Sequence, residues 1–180
     1  MIIIIIILSI FQRSSVSEDI CTFDDGLCSW VQGQADDFDW KRQTGPTSSN
    51  YTGPQSGHTS GKETVDYYMY INASSANKGD KAILRHMGFY RHGRACLSLW
   101  FHMYGEKMGQ LRVQVQRNRD SPFLVWSTGD QGTDWTSAAV DLEVGPGLSF
   151  ELAGIRGSGA RGDIALDDVS LFTRSCFDCA

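Results

Sequence analysis

From Leu111 to Arg117 the chain reads LRVQVQR, with Leu111, Val113 and Val115 alternating against Arg112, Gln114 and Gln116. A period of two places the first set on one face of an extended strand and the second on the other, so this segment is a β-strand with one dry and one wet face. Short runs of the same kind recur along the chain. They are YYMYI from Tyr67, CLSLWFHMY from Cys96, FLVWS from Phe123, AAVDL from Ala138, LSFEL from Leu148 and DIALDDVSL from Asp163. Glycine-bearing turns such as STGDQGTDW and EVGPG separate them, and no window sustains the 3.6-residue period of a helix. Many short strands at regular spacing predict an all-β sandwich or jelly roll.

The 180 residues suffice for one domain with a sizeable core. Net charge is −5 with acids and bases interspersed, so no basic stripe for nucleic acid is expected. The opening MIIIIIILSIF is an apolar run of about eleven residues, too short to span a bilayer comfortably. It reads as the h-region of a signal peptide over residues 1–17, with Ser15-Val16-Ser17 as small residues before a cleavage site. It lacks a positive n-region, which leaves a truncated leader as the alternative. Asn50-Tyr51-Thr52 and Asn72-Ala73-Ser74 are N-glycosylation acceptors, making Asn50 and Asn72 the candidate positions. Together with the cysteines, these features predict an oxidising, extracellular setting with no insertion of the domain itself into a membrane.

Beyond residue 20 no linker divides the chain. Residues 44–66, TGPTSSNYTGPQSGHTSGKETVD, are rich in Gly, Pro, Ser and Thr and predict a long exposed connection. Cys21 and Cys28 can bridge locally, with Gly26 available for the turn. A bridge from Cys96 to Cys176 would close a long loop, worth roughly 4–5 kcal/mol in the chain-entropy model. Five cysteines with one left over nevertheless leave fifteen arrangements open.

Three blocks occur in order: CTFDDGLCSWVQGQADDFDWKRQTGPT, CLSLWFHMYGEKMGQLRVQV and GDIALDDVSLFTRSC. In this combination the chain resembles a MAM domain over residues 20–176, the extracellular module of meprins, neuropilins and receptor-type protein tyrosine phosphatases. The resemblance implies a jelly-roll β-sandwich of two antiparallel sheets, and disulfides Cys21–Cys28 and Cys96–Cys176. It also implies a non-catalytic interaction or adhesion role with a protein partner, homophilic binding included. Residues 177–180 would then begin a further cysteine-rich module, or Cys179 would be free for intermolecular pairing. The alternative is a glycan- or small-ligand-binding accessory module of an extracellular enzyme or receptor.

Several motifs carry chemistry only on paper. GSGARG, Gly157 to Gly162, matches G-x-G-x-x-G, but a strand follows instead of a helix, so it reads as a hairpin loop. His86, His92 and Cys96 lack the context of a zinc site, and no G-x-S-x-G elbow accompanies any histidine. Trp30, Phe38, Trp40, Trp100 and Phe101 read as core. Arg161-Gly162-Asp163 spells an integrin-binding tripeptide, but Gly-Asp before A-L-D-D belongs to the family pattern, and no integrin partner is expected.

The acids of DIALDDVSL are more informative. Alternation puts Ala165, Asp167, Val169 and Leu171 on one face, which sends Asp167 inward with Val169 and Leu171. Asp168 points the other way with Ile164 and Leu166. A buried carboxylate needs donors or a cation. In modules of the resembled kind, an acid at the position of Asp24 and the first acid of the terminal pair share a metal. The expectation is a structural Ca2+ held by Asp24 and Asp167, with Asp66 and carbonyls of the Gly57–Asp66 loop. The competing expectation is a metal-free network of backbone N–H donors.

Overall fold

The computed structural model describes residues 18–60, 66–88, 92–118 and 120–179, apart from the side chains of Ser127, Asp178 and Cys179. The leader over residues 1–17, loop residues 61–65 and the Cys179 thiol lie outside what is described. Eleven strands form: β1 Glu18–Cys21, β2 Val31–Gln32, β3 Lys41–Thr44, β4 Tyr67–Ile71, β5 Lys81–His86 and β6 Gly93–Met103, followed by β7 Gln110–Arg117, β8 Phe123–Thr128, β9 Thr136–Val144, β10 Leu148–Ile155 and β11 Ile164–Phe172. One sheet runs β3-β4-β11-β6-β9, with β1 also on β11, and the other runs β2-β5-β10-β7-β8. Every pairing is antiparallel, so the chain is the β-sandwich its sequence predicts. Among the described residues no helix is long and apolar enough to cross a membrane.

The inner faces supply the core. Leu111, Val113 and Val115 of β7 meet Leu97, Leu99 and Phe101 of β6 in one buried cluster that includes Trp30 and Trp40. Trp40 donates its indole N–H to the Ala82 carbonyl at 3.0 Å. Its ring lies so close to β10 that a Cβ on Gly154 would stand 2.8 Å from Cζ2, which explains a glycine in an otherwise apolar strand.

The structure corrects four expectations. Trp100 is not in this core; it alternates with Leu99 and Phe101 and lies on the outer face of its sheet, beneath His58. The connection before β4 is not simply exposed. Thr47, Thr52, Gly53, Pro54 and Gly57 are buried where it folds back over that outer face. GSGARG is not a hairpin, because β10 and β11 belong to different sheets. Instead the loop packs on residues 106–108, and a Cβ on Gly157 or Gly159 would collide with the carbonyls of Lys107 or Glu106. Finally, β11 does not alternate without a break. Its register against β6 shifts between Asp167 and Ser170, and Asp168 takes φ 46°. This β-bulge puts Ile164 and Leu166 before it, and Val169 and Leu171 after it, all in the inner core. Ala165 packs outside with Tyr68 and Tyr70, and Asp168 does not share a face with Ile164 and Leu166.

Candidate functional site

The bulge lies at a gap in the sheet. Before it, Ile164 to Leu166 pair with Ile71 to Met69 of β4; after it, Val169 to Phe172 pair with Cys21 to Glu18 of β1. Asp167 and Asp168 fall between the two partners. The chain leaving β1 carries Asp24 past this point, and Asp66 sits immediately before β4. Of the three acids named from the sequence, Asp66 and Asp167 both lie under the 57–60 loop, while Asp24 accepts from the Tyr67 N–H where β4 begins. Asp167 is opposite Trp100 and fully buried, not with Val169 and Leu171 in the core but under the 57–60 loop.

Each acid is tied to backbone. Asp167 accepts from His58 N–H at 2.7 Å and Asp168 N–H at 2.8 Å. Asp66, equally buried, accepts from Ser60 N–H at 2.8 Å. Asp24, half-buried, accepts from Tyr67 N–H at 3.0 Å and from the Thr22 hydroxyl at 3.1 Å. Arg42 fastens the same turn, donating to the Phe23 carbonyl at 2.6 Å and also to that of Asp24, while its guanidinium lies 3.5 Å over the Tyr67 ring.

Burial raises the Asp167 pKa to about 7. The His58 N–H opposes the rise, while the charges of Asp168 and Asp66 add to it. Asp66 and Asp167 are held by neighbouring N–H groups of one loop, those of Ser60 and His58. The donor chemistry is that of a hard-cation site: two buried carboxylates, Asp66 and Asp167, under one loop. Gly57 packs directly on Asp66, where a Cβ would stand 2.5 Å from Oδ1, so only glycine lets the loop close over this acid. Among the described residues no three His, Cys, Asp or Glu side chains form a ready metal cluster. A cation here would need main-chain oxygens as well, and residues 61–65 of the adjoining loop lie outside the described set.

The sequence did not single out the clasp that covers this gap. His58 stacks on Trp100 with ring centroids 3.7 Å apart, and its Nδ1 lies 2.6 Å from Asp168 Oδ2. Thr59 Oγ1 donates to Asp168 Oδ1 at 2.8 Å. Asp168 therefore binds the loop while Asp167 receives the same loop's backbone. The only local signal is the acid pair itself, because the partners lie about 110 residues apart.

Elsewhere, the described residues include disulfides Cys21–Cys28 and Cys96–Cys176. Asn50 is exposed. Asn72 caps the short 3-10 turn Ala73–Ser75, accepting from Ser74 N–H and donating Nδ2–H to Ser48 Oγ. Asp163 is fully buried; it accepts from Ala73 N–H at 2.8 Å, and its own N–H donates to Thr52 Oγ1. The tripeptide at 161–163 therefore presents no carboxylate to a partner. His86 holds Asp19 through Nε2 at 2.8 Å, and Cys96 is oxidised, so the imagined zinc ligands do not converge. His102 is buried against the Thr133 carbonyl, and burial lowers its pKa. None of the five tryptophans is exposed.

The MAM domain family model (meprin/A5/mu) matches residues 21–177. MAM domain-containing protein 2 of Mus musculus is 38% identical over 159 residues, covering 87% of this chain and 23% of that protein. MAM domain-containing glycosylphosphatidylinositol anchor protein 1 of Rattus norvegicus is 35% identical over 173 residues, covering 90% of this chain and 18% of that protein. The chain thus spans less than a quarter of the length of these relatives. Among solved structures, the K1 cleaved adhesin domain of Lys-gingipain from Porphyromonas gingivalis W83 superposes with TM-score 0.60 at 12% identity, covering 89% of this chain and 98% of that one. The CBM22-1-GH10 modules of Clostridium thermocellum xylanase 10B superpose with TM-score 0.52 at 11% identity, covering 87% of this chain and 27% of that one. At such identities the likeness is one of sandwich fold.

Proposed function

The chain belongs to the MAM domain family, and from that premise we propose that it is a non-catalytic interaction module of a larger secreted or membrane-anchored extracellular protein. The observation that carries the reading is the Cys96–Cys176 bridge, which joins β6 to the segment after β11 across 80 residues. Such a staple persists in an oxidising compartment and is uncommon in cytosolic proteins. The relatives named as glycosylphosphatidylinositol anchor proteins agree with a cell-surface setting. The chemistry-bearing side chains also support it. Asp163, Asp167, Asp168, His86 and His102 are all engaged in structural hydrogen bonds. An adhesive role with a protein partner, self-association included, follows as the working reading.

The acidic gap fits a structural Ca2+ within this reading. Asp167 and Asp66 would hold the ion, with Asp24 and loop carbonyls completing the set. The ion would offset the repulsion between buried carboxylates and stabilise the native state by mass action.

The glycan-binding alternative draws on the sandwich likeness to modules such as those of the xylanase. It is disfavoured by the absence of an exposed tryptophan platform, since all five indoles are buried or half-buried. Sedimentation of the parent ectodomain with and without residues 18–179 tests the interaction reading. Assembly lost on deletion supports it. An ectodomain whose association is unchanged, from a parent that binds a glycan array through this module, overturns it.

A further inference from the structure

The turn at residues 50–53 of the cover holds an aromatic ring in water. Tyr51 is 74% exposed and takes φ 63°, the left-handed region that a bulky side chain seldom enters. The residues after it explain the conformation. Thr52 is buried; its hydroxyl donates to the Tyr104 carbonyl at 2.7 Å and accepts from Asp163 N–H at 2.9 Å. Gly53 takes φ 68°, and a Cβ there would stand 2.5 Å from Thr47 Oγ1. With Thr52 fastened inward and Gly53 packed on Thr47, Tyr51 is the member of the turn left outside. Strain of this kind persists where the surroundings over-determine it, and it clusters at sites that bind.

The ring has neighbours from two other loops. The Arg161 guanidinium lies 5.4 Å from the Tyr51 ring centroid, with Glu106 Oε1 3.8 Å from the same guanidinium. Gly105 backs onto the Arg161 main chain, where a Cβ would stand 2.0 Å from the carbonyl oxygen. Of Arg161-Gly162-Asp163 only Arg161 is exposed. Tyr51 and Arg161 thus form a small shelf with an apolar body and polar edges. Such a shelf can take the C–H face of a pyranose and leave its polar groups to the rim.

The chain can deliver one sugar to this shelf by itself. Asn50-Tyr51-Thr52 is an acceptor triplet, and the two acceptors of the chain differ in the fold. Asn72 is half-buried with its carboxamide engaged, accepting from Ser74 N–H at 3.0 Å and the Ser74 hydroxyl at 2.6 Å and donating to Ser48 Oγ at 3.0 Å. Asn50 is exposed, and among the described residues its carboxamide makes no hydrogen bond. A sugar on its Nδ2 displaces nothing. Consecutive Cα atoms stand about 3.8 Å apart, so that sugar is held within reach of the Tyr51 ring, and the tether makes a weak contact effective.

We propose that Asn50 carries an N-linked glycan whose first sugar, an N-acetylglucosamine, packs on Tyr51, pins the 48–53 turn and roofs Arg161. In the modification, Asn50 Nδ2 attacks the anomeric carbon of a lipid-pyrophosphate-linked oligosaccharide. A C–N bond forms, the C–O bond to the pyrophosphate breaks, the lipid pyrophosphate leaves and one amide proton is lost. Transfer precedes folding of the turn, because the Thr52 hydroxyl that the triplet needs is afterwards buried. The proposal rests on the extracellular reading, which supplies the glycosylating compartment, and adds to it a modification, its platform and a role for the strained turn.

The test uses the whole chain secreted from cells restricted to oligomannose glycans, trimmed by endoglycosidase to one 13C-labelled N-acetylglucosamine per site. Glycopeptide mass spectrometry should find Asn50 occupied. The acetyl-methyl and ring-proton signals that vanish in Asn50→Gln should lie upfield of a free glycopeptide, through the Tyr51 ring current. Tyr51→Phe should keep that shift and Tyr51→Ala should abolish it. Limited proteolysis within 46–60 should run about fivefold faster in Asn50→Gln, the scale of one aromatic contact. Tyr51→Ala should speed it as much with the sugar but little in the Asn50→Gln background, a non-additivity that a tyrosine acting on the turn alone would not give. Asn50 unoccupied on the secreted chain, signals at the free-glycopeptide position, or an equal Tyr51→Ala effect with and without the sugar would each overturn the proposal. Secretion with both disulfides formed, read from the same digest, checks the extracellular setting by itself, so the two failures are distinguishable.

Discussion

At Asp167 a fully buried carboxylate faces two further acids and accepts from two backbone N–H groups. Its pKa is raised to about 7 from an ordinary value of 3.8. Between those values the native chain keeps a proton that the unfolded chain has lost, so stability falls as pH rises through the window and levels off above it. Thermal melts in chelator should therefore show Tm declining from pH 5 toward pH 7. Saturating Ca2+ should flatten the decline, because the ion replaces the proton as counter-charge. In Asp167→Asn, Tm should respond little to either pH in this range or chelator. A wild-type Tm indifferent to chelation, with no Ca2+ binding by calorimetry, removes the metal and leaves the backbone N–H network alone. Asp163 tests a different point. Asp163→Ala strands the buried Ala73 N–H and should cost about 1–3 kcal/mol in urea denaturation, while integrin-dependent cell attachment is unchanged.

The 45–60 segment behaves as a cover clipped to the outer face of a sheet, and His58 is its clip. His58→Ala keeps the backbone N–H to Asp167 but removes the Trp100 stack and the Asp168 contact. Limited proteolysis should then cut within 46–60 several-fold faster, with a smaller change in global stability, because local opening and global unfolding are separate equilibria. An unchanged cleavage rate would show that His58 does not hold the cover. Removing the long staple by Cys96→Ala with Cys176→Ala should cost roughly 4 kcal/mol in denaturant, the loop-closure scale for 80 residues.

Strands were legible where local alternation was intact. LRVQVQR and LSFEL show their inner and outer residues directly, and each forms the strand expected. β1, β2 and β3 were not, because EDIC, VQ and KRQT are short and have no apolar period; their partners supply their order. Alternation misled at β11. One left-handed residue, Asp168, resets the pleat, and no side-chain pattern announces it. The acids of the gap could be named from the sequence, but their cover could not. His58 and Asp168 meet only through the fold of the intervening chain.

At the scale of the whole molecule, the sandwich has one covered outer face and apolar side chains exposed on the β8 edge strand. Over β4, β11 and β6 the outer face of the β3–β9 sheet is covered by the 45–60 segment, held by the Asp163 and Asp167 networks and by Trp135. The opposite rim, at β8 and β9, keeps apolar side chains and backbone edges in solvent. The proposed interaction role draws on this sandwich, stiffened by two disulfides. The measurement that bears most directly on this is clustering of beads coated with the parent ectodomain, wild type beside a version lacking residues 18–179. The account predicts that wild-type beads cluster, or capture beads bearing a partner, and that deletion abolishes it. Equal clustering by the two proteins would contradict it.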